Sequence, residues 1–318
     1  MGVHAHHCRM AQEPAARAGQ APDPVPFPGP RKMTLMRSLR LSAPQARILP
    51  WLRLRRHGLA GLLCALALAG CATAPLRPYT LDDSLQAASQ SSRVRFIVLH
   101  YTASDRARSL QLLSQGKVSS HYLVSDELPG KVYALVDENR AAWHAGPSSW
   151  YGYTWLNASS IGIEIVNPGW VDDGRGGRAW LHPFNEAQIQ AIIALVQDIA
   201  QRHGVEPRNI VAHSDIAPTR KQDPGPLFPW KRLAAAGLGR WYDEALAADF
   251  RLAFEAKGVP DAAWFQENLA RVGYGIERTG NFDEATIKTI AAFQMHYRPA
   301  RSDGLPDAET AAVLQALR

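Results

Sequence analysis

Residues 211–230, VAHSDIAPTRKQDPGPLFPW, place His213, Lys221 and Asp223 in a segment rich in proline and glycine. The apolar run Ile210-Val211-Ala212 leads into it. A neutral imidazole and a carboxylate are good ligands for a divalent metal, zinc above all. A lysine two residues before the carboxylate puts a positive charge where a carbonyl under attack would lie. Taken alone, the segment also reads as a surface loop with three solvated polar side chains. Two distant positions add to it: His100 ends the run VLH, and Glu164 is the one charged residue of SIGIEIV. Two imidazoles (His100, His213) and one carboxylate (Asp223), with a position left open for water, fit a catalytic zinc site better than a closed structural one. Glu164, if buried, needs a partner or a chemical task. It could carry a proton to a leaving nitrogen, or face outward in an ion pair. Lys221 could stabilise an oxyanion.

The elements that must position these residues follow from hydrophobic periodicity. Residues 93–100 (RVRFIVLH) predict a buried central strand. Residues 104–115 predict a helix, and 121–124 and 132–136 predict strands about the turn Pro129-Gly130. Residues 160–166 set Ile161, Ile163 and Ile165 against Gly162, Glu164 and Val166, the period of a strand. Residues 185–203 predict a helix opened by Asn185 with Gln188 three on, and stopped at Gly204. Residues 209–213 predict a short strand with His213 at its end. The result is an α/β domain over 93–235, a central mixed β-sheet flanked by helices. Beyond it, helices are expected at 233–256, 262–272, 283–297 and 306–317, and no strand. That predicts a small all-α three-helix domain over 245–318.

Charge is unevenly spread. Of 35 Lys and Arg and 29 Asp and Glu in 318 residues, ten and two fall in 1–71. The rest of the chain is slightly acidic, which argues against a nucleic-acid partner. Arg53, Arg55 and Arg56 precede an apolar run that ends at Leu68-Ala69-Gly70-Cys71. A charged start, a short apolar run and small residues at a cleavage point make an export signal, and the run is too short for a mature membrane span. Residues 1–32 are an odd leader, and Met33 or Met36 would give a better-shaped signal. Residues 72–92 read as a polar tether. The three cysteines are Cys8, Cys64 and Cys71. A chain cleaved there has no internal disulfide, and any metal site must use His, Asp or Glu.

Three resemblances sharpen this. Leu-Ala-Gly-Cys resembles the bacterial lipobox, which implies cleavage before Cys71, acylation of its thiol and a membrane anchor. Ala72 after the cysteine is similar to lipoproteins sent to the outer membrane, facing the periplasm. The set VLHYTA, SSHYLVS, AAWHAG, IGIEIVNPG and VAHSDIAPTRKQDPGPLFPW resembles the zinc N-acetylmuramoyl-L-alanine amidases of the amidase-2 type, which share their fold with peptidoglycan recognition proteins. That resemblance implies hydrolysis of the amide between N-acetylmuramic acid and L-alanine in peptidoglycan or muropeptides. It implies Zn2+ on His100, His213 and Asp223, with Glu164 and Lys221 catalytic. In other branches a cysteine replaces the third ligand and a tyrosine replaces the glutamate. Asp223 places this chain nearer the bacterial branch and leaves Tyr122 without an assigned role. His144, in WHAG, is a candidate substrate contact or a packed loop histidine. Trp143, Trp150, Tyr151, Tyr153 and Trp155 could stack on sugars or cover the core. GNFDEATIKTIAAFQ and DGLPDAETAAVL resemble a small peptidoglycan-binding domain, with Phe293 and Gln294 in its pattern. The alternatives are a non-catalytic peptidoglycan receptor and a zinc hydrolase of another amide.

Overall fold

The computed structural model describes residues 78–175 and 177–317. The signal-like segment and Cys71 lie outside the described residues. The chain divides into Met1–Asp83 and Ser84–Arg318, and all that follows concerns the second unit.

Its centre is a five-stranded sheet in the order β3-β2-β6-β1-β9. The strands are β1 (Phe96–Tyr101), β2 (Tyr122–Val124), β3 (Val132–Ala134), β6 (Ser160–Ile165) and β9 (Ile210–Ala212). β1 runs parallel to β6 and β9, β2 runs parallel to β6, and β3 is antiparallel to β2. The sheet is therefore mixed, as expected. Two small hairpins stand outside it: β4 (Ser149–Trp150) with β5 (Tyr153–Thr154), and β7 (Trp170–Asp172) with β8 (Arg178–Trp180). Hydrophobic pattern did not reveal either, because two- and three-residue strands are too short to show a period.

Strand alternation sends residues to opposite faces. Ile97 and Leu99 of β1, Ile161, Ile163 and Ile165 of β6, and Ile210 and Ala212 of β9 pack in one buried cluster. That face is covered by α2 (Glu186–His203) through Ile189, Ile192, Val196 and Ile199. Burying each such side chain contributes about 1.5–3 kcal/mol. α2 begins with the expected Asn185–Gln188 capping box and ends at Gly204 in the left-handed region, φ 67°. The shorter α1 (Arg106–Gln115) is capped by Asp105.

The other face of β1 carries Phe96 and Val98. They join one cluster with Trp150, Leu156 and residues of the C-terminal helical part, including Phe265, Leu269 and Phe293 on helices and Tyr274 between two of them. The helical part thus shares a core with the sheet. After α3 (His213–Ile216) and α4 (Trp230–Ala235) come α5 (Glu244–Lys257), α6 (Ala262–Arg271), α7 (Glu284–Tyr297) and α8 (Ala308–Ala316). The single helix expected at 233–256 is instead two. Gly237 and Gly239 between them have φ 78° and 97°, which a continuing helix does not allow.

The helical part repeats itself. Gln266 Nε2 donates to Thr286 Oγ1 (2.8 Å) while its Oε1 accepts from Gly280 N–H (2.9 Å). Gln294 Nε2 donates to Thr310 Oγ1 (3.0 Å) while its Oε1 accepts from Gly304 N–H (2.8 Å). Each glutamine follows a buried phenylalanine, Phe265 or Phe293. Asp283 and Asp307 cap the helices that carry the two threonines. The Phe-Gln pattern is therefore a device that seats each helix start on its neighbour.

Candidate active site

Three parallel strands end on one edge of the sheet. The β1–β6 register sets His100 beside Glu164. The β1–β9 register ends at Leu99↔Ala212, so His213 comes one residue later, level with His100. Glu164, His100 and His213 thus form a row across the carboxyl ends of the strands, where open α/β sheets bind ligands. Alternation puts His100 on the face of Phe96 and Val98, and Glu164 on the face of Ser160 and Gly162.

His213 does not end its strand, as the sequence suggested. It starts α3, and that turn brings the loop back. Ala217 N–H donates to His213 O (3.0 Å), Lys221 N–H to Ala217 O (2.9 Å), and Ser214 N–H to Asp223 O (2.9 Å). These bonds bring Asp223 to His213 and His100. His100 Nδ1 lies 2.9 Å from His213 Nδ1 and 2.9 Å from Asp223 Oδ2, and His213 Nδ1 lies 3.0 Å from the same oxygen.

The outer ring nitrogens assign the protons. His213 Nε2 is 3.1 Å from Ala145 O, which only accepts, so Nε2 carries the proton and Nδ1 a lone pair. Ser160 Oγ donates to Leu156 O at 2.6 Å and therefore accepts from His144 Nε2 at 3.1 Å. His144 Nδ1 is left to accept from His100 Nε2, also at 3.1 Å. His100 Nδ1 then carries a lone pair as well. Two imidazole lone pairs and a carboxylate oxygen converge in a buried space, all within 4.8 Å of one another. Such a set repels itself unless a cation sits within it, and the outer bonds are those that orient metal-ligating histidines. The residues present fit a divalent metal.

Burial and the neighbouring His213 push the His100 imidazole down to about 4, against Asp223. Burial also drives His144 well below the usual histidine range. Burial pushes the Asp223 carboxyl up, while positive charge on His213 and His100, when those rings are protonated, pulls it below the usual range. Glu164 goes the other way. Burial and the negative charge of Asp223 raise it well above an ordinary carboxyl, with Lys221 opposing. Its Oε2 is sealed from solvent and has no hydrogen-bond partner.

A groove of about 500 Å³ opens over this edge, lined by His100, His144, Glu164, His213, Lys221 and Asp223. Trp143, Trp170 and Arg178 stand on its walls, with Lys288, Ala291 and Met295 of α7. Trp143 is 61% exposed, whereas Trp150 is 1% exposed and belongs to the core. His144 turns both ring nitrogens to protein neighbours. Gly162 makes room for it, since a Cβ there would meet His144 Cγ at 2.4 Å. His121 is buried and structural, accepting from Gly162 N–H through Nδ1 (3.0 Å). Tyr122 donates to Glu138 Oε1 (2.6 Å), and is no part of the groove lining. Sequence reasoning missed Ser160 and the Ala145 carbonyl. Ser160 had a signal, since it is in phase with Gly162 and Glu164; a backbone carbonyl has none.

Comparison with known proteins agrees with this geometry. The N-acetylmuramoyl-L-alanine amidase family (Amidase_2) matches residues 90–226, and a peptidoglycan-binding domain family (PG_binding_1) matches 259–314. The chain is 47% identical to N-acetylmuramoyl-L-alanine amidase AmiD of Escherichia coli over 80% of its own length and 94% of that protein. A solved complex of E. coli AmiD with anhydro-N-acetylmuramic acid-L-Ala-D-gamma-Glu-L-Lys superposes with a TM-score of 0.69 at 43% identity, over 76% of this chain and 94% of that one. AmpDh3 of Pseudomonas aeruginosa superposes with a TM-score of 0.70 at 41% identity, over 75% and 97%. The chain belongs to the amidase-2 family of N-acetylmuramoyl-L-alanine amidases, with a peptidoglycan-binding-type helical domain at its C-terminal end.

Proposed function

We propose that this protein hydrolyses the amide between the lactyl group of N-acetylmuramic acid and the L-alanine of the stem peptide, as a zinc enzyme of the bacterial cell envelope. The observation that carries the reading is the convergence of His100, His213 and Asp223 on a groove that Glu164, its Oε2 without a hydrogen-bond partner, also lines. Zinc is the metal that this N,N,O donor set suits, and when bound it polarises a carbonyl and acidifies water. Glu164 holds a proton more readily than an ordinary carboxyl. It takes a proton from the attacking water and returns it to the leaving nitrogen of L-alanine. Lys221, on the groove wall, stabilises the negative charge on the carbonyl oxygen. His144 keeps His100 in the required tautomer from the rear of the groove.

The substrate named for E. coli AmiD carries an anhydro sugar and a short peptide. A groove of this size, with exposed Trp143 on its rim, suits a ligand with both. The helical domain supports peptidoglycan as the polymer engaged. Cys71 would carry the lipid anchor, and residues 72–92 the tether, placing the enzyme on the outer membrane facing the periplasm.

The test is digestion of defined muropeptides by the purified chain, with products identified by mass. We expect free stem peptide and free muramyl sugar, loss of activity on chelation, recovery with zinc, and no activity in Asp223→Ala. Undiminished cleavage after complete metal removal would overturn the mechanism. Binding without cleavage would leave a receptor instead.

A further inference from the structure

α3 bears a second carboxylate that the chemistry above does not use. Asp215 lies two residues after His213 and is fully buried. Its Oδ2 accepts from Ala212 N–H (2.8 Å) and from His296 Nδ1 (2.7 Å), and its Oδ1 accepts from the Tyr274 hydroxyl (2.6 Å). One donor is the backbone of the residue that leads into His213. The other two come from the helical domain, Tyr274 after α6 and His296 on α7.

These donors are themselves held. The His296 ring lies flat on Trp230 (3.9 Å between centroids, 19°) and on Tyr297 (4.0 Å, 8°). The Tyr274 ring meets Trp150 edge-on at 5.1 Å. The seam between the domains is also backbone-bonded, Tyr151 N–H to Gly273 O at 2.9 Å. Gly273 lies so close to Trp150 that a Cβ there would meet its ring at 2.8 Å.

We propose that the C-terminal helical domain is part of the catalytic apparatus, with Asp215, Tyr274 and His296 acting as positioning residues for the metal ligand His213. A buried carboxylate stays where its donors are, because losing one leaves charge uncompensated in a medium that solvates it poorly. The Ala145 carbonyl orients the His213 ring from one side. The Asp215 carboxylate holds the N–H of Ala212, the residue that leads into His213. A wall-binding module on a free linker would supply neither donor. α7 joins the two roles, since it also places Lys288, Ala291 and Met295 on the groove wall.

The proposal rests on the metal reading of His100, His213 and Asp223, and its test separates the two. Zinc affinity of the full chain is measured by competition with a chromogenic chelator, alongside the visible spectrum of the cobalt-substituted protein and the melting temperature of the metal-free form. His296→Phe keeps the stack on Trp230 and removes the donor. His296→Asn keeps a donor at the Nδ1 position and removes the stack. We expect His296→Phe to weaken zinc binding about tenfold, the low end for partners behind a ligand, and to shift the cobalt spectrum. His296→Asn should stay within about twofold of wild type in zinc binding, whatever it does to melting. Tyr274→Phe, a smaller change, covers the case in which His296→Phe does not fold, and should weaken binding in the same direction. If wild type binds no metal, the metal reading fails and this proposal with it. If wild type binds metal and His296→Phe and Tyr274→Phe bind it equally well with unchanged cobalt spectra, the network is interdomain packing alone and the proposal is overturned.

Discussion

Among the histidine-and-carboxylate clusters of the described residues, the strand-end site and one built on Glu138 differ in what supplies the positive charge. At the far cluster Glu138 accepts from Tyr122 (2.6 Å), from Arg202 Nη2 (2.9 Å) and from His203 Nε2 (2.7 Å). Arg202 Nη1 bonds the same carboxylate, and Arg93 closes over the Glu138 and Arg140 carbonyls. Guanidinium groups already supply the positive charge there. At the strand-end cluster Asp223 meets only His100 and His213, and no Arg or Lys among the described residues pairs with it. Both imidazoles present lone pairs to it. The clusters use similar residues, and the difference is whether the chain brings its own cation. Where it does, the group is structural; where it does not, the converging donors are of the kind that could hold a metal ion.

The comparison can be pressed hardest at Glu164. We expect Glu164→Gln to lower kcat by about 10²–10⁴-fold, the range for losing a general acid–base group. Zinc content should remain, because Glu164 is not one of the converging donors. Loss of zinc along with turnover would make Glu164 a structural member of the site. A smaller effect is expected at the space behind the site. Gly162→Ala puts a methyl group into the His144 ring, and overpacking of this kind costs about 1–3 kcal/mol. Because His144 holds His100, zinc affinity should fall together with melting temperature. A variant that loses melting temperature and keeps its zinc affinity would detach His144 from the metal.

The smallest effect belongs to the closed cluster and is read by acid. The Arg202 hydrogen bonds lead in holding Glu138 down to about 2, from 4.5, with Tyr122 and His203 helping and burial opposing. A depressed carboxyl stabilises the fold above its unfolded pKa, and that stability drains away as pH falls toward the folded value. Glu138→Gln should therefore be less stable than wild type at pH 6, with the gap closing between about pH 4.5 and pH 2. Zinc affinity at pH 7 should stay unchanged. A pH-independent gap would show that Glu138 acts by packing and not by charge.

Much of the site could be read from residue types. His100 and Glu164 stand out because they carry the ionisable imidazole and carboxyl of the largely apolar strands 96–101 and 160–165. His213, Lys221 and Asp223 stand out by crowding. The helix at Glu186–His203 was legible because its caps and its apolar stripe agree. The hairpins at 149–154 and 170–180 were not, since strands this short are made by pairing rather than by pattern. Trp150 and Trp155 looked alike in sequence, yet one is core and the other is exposed. Phe-Gln stands at both 265–266 and 293–294, but the shared role of the two glutamines shows only when both are seen bonding a threonine and a glycine.

What the sequence determined by itself is therefore the list of reactive groups, the strands and helices long enough to show a period, and the family. Those depend on composition and spacing along the chain. Tertiary structure alone decided which nitrogen of each histidine carries a proton, because that depends on carbonyls and hydroxyls distant in sequence, at Ala145, Leu156 and Ser160. It also decided that Asp215 and Asp223, carboxylates eight residues apart in the sequence, have different tasks. Asp223 faces two lone pairs at the sheet edge, and Asp215 faces three donors at the domain seam. A carboxylate acts according to what surrounds it, and those surroundings exist only once the chain has closed.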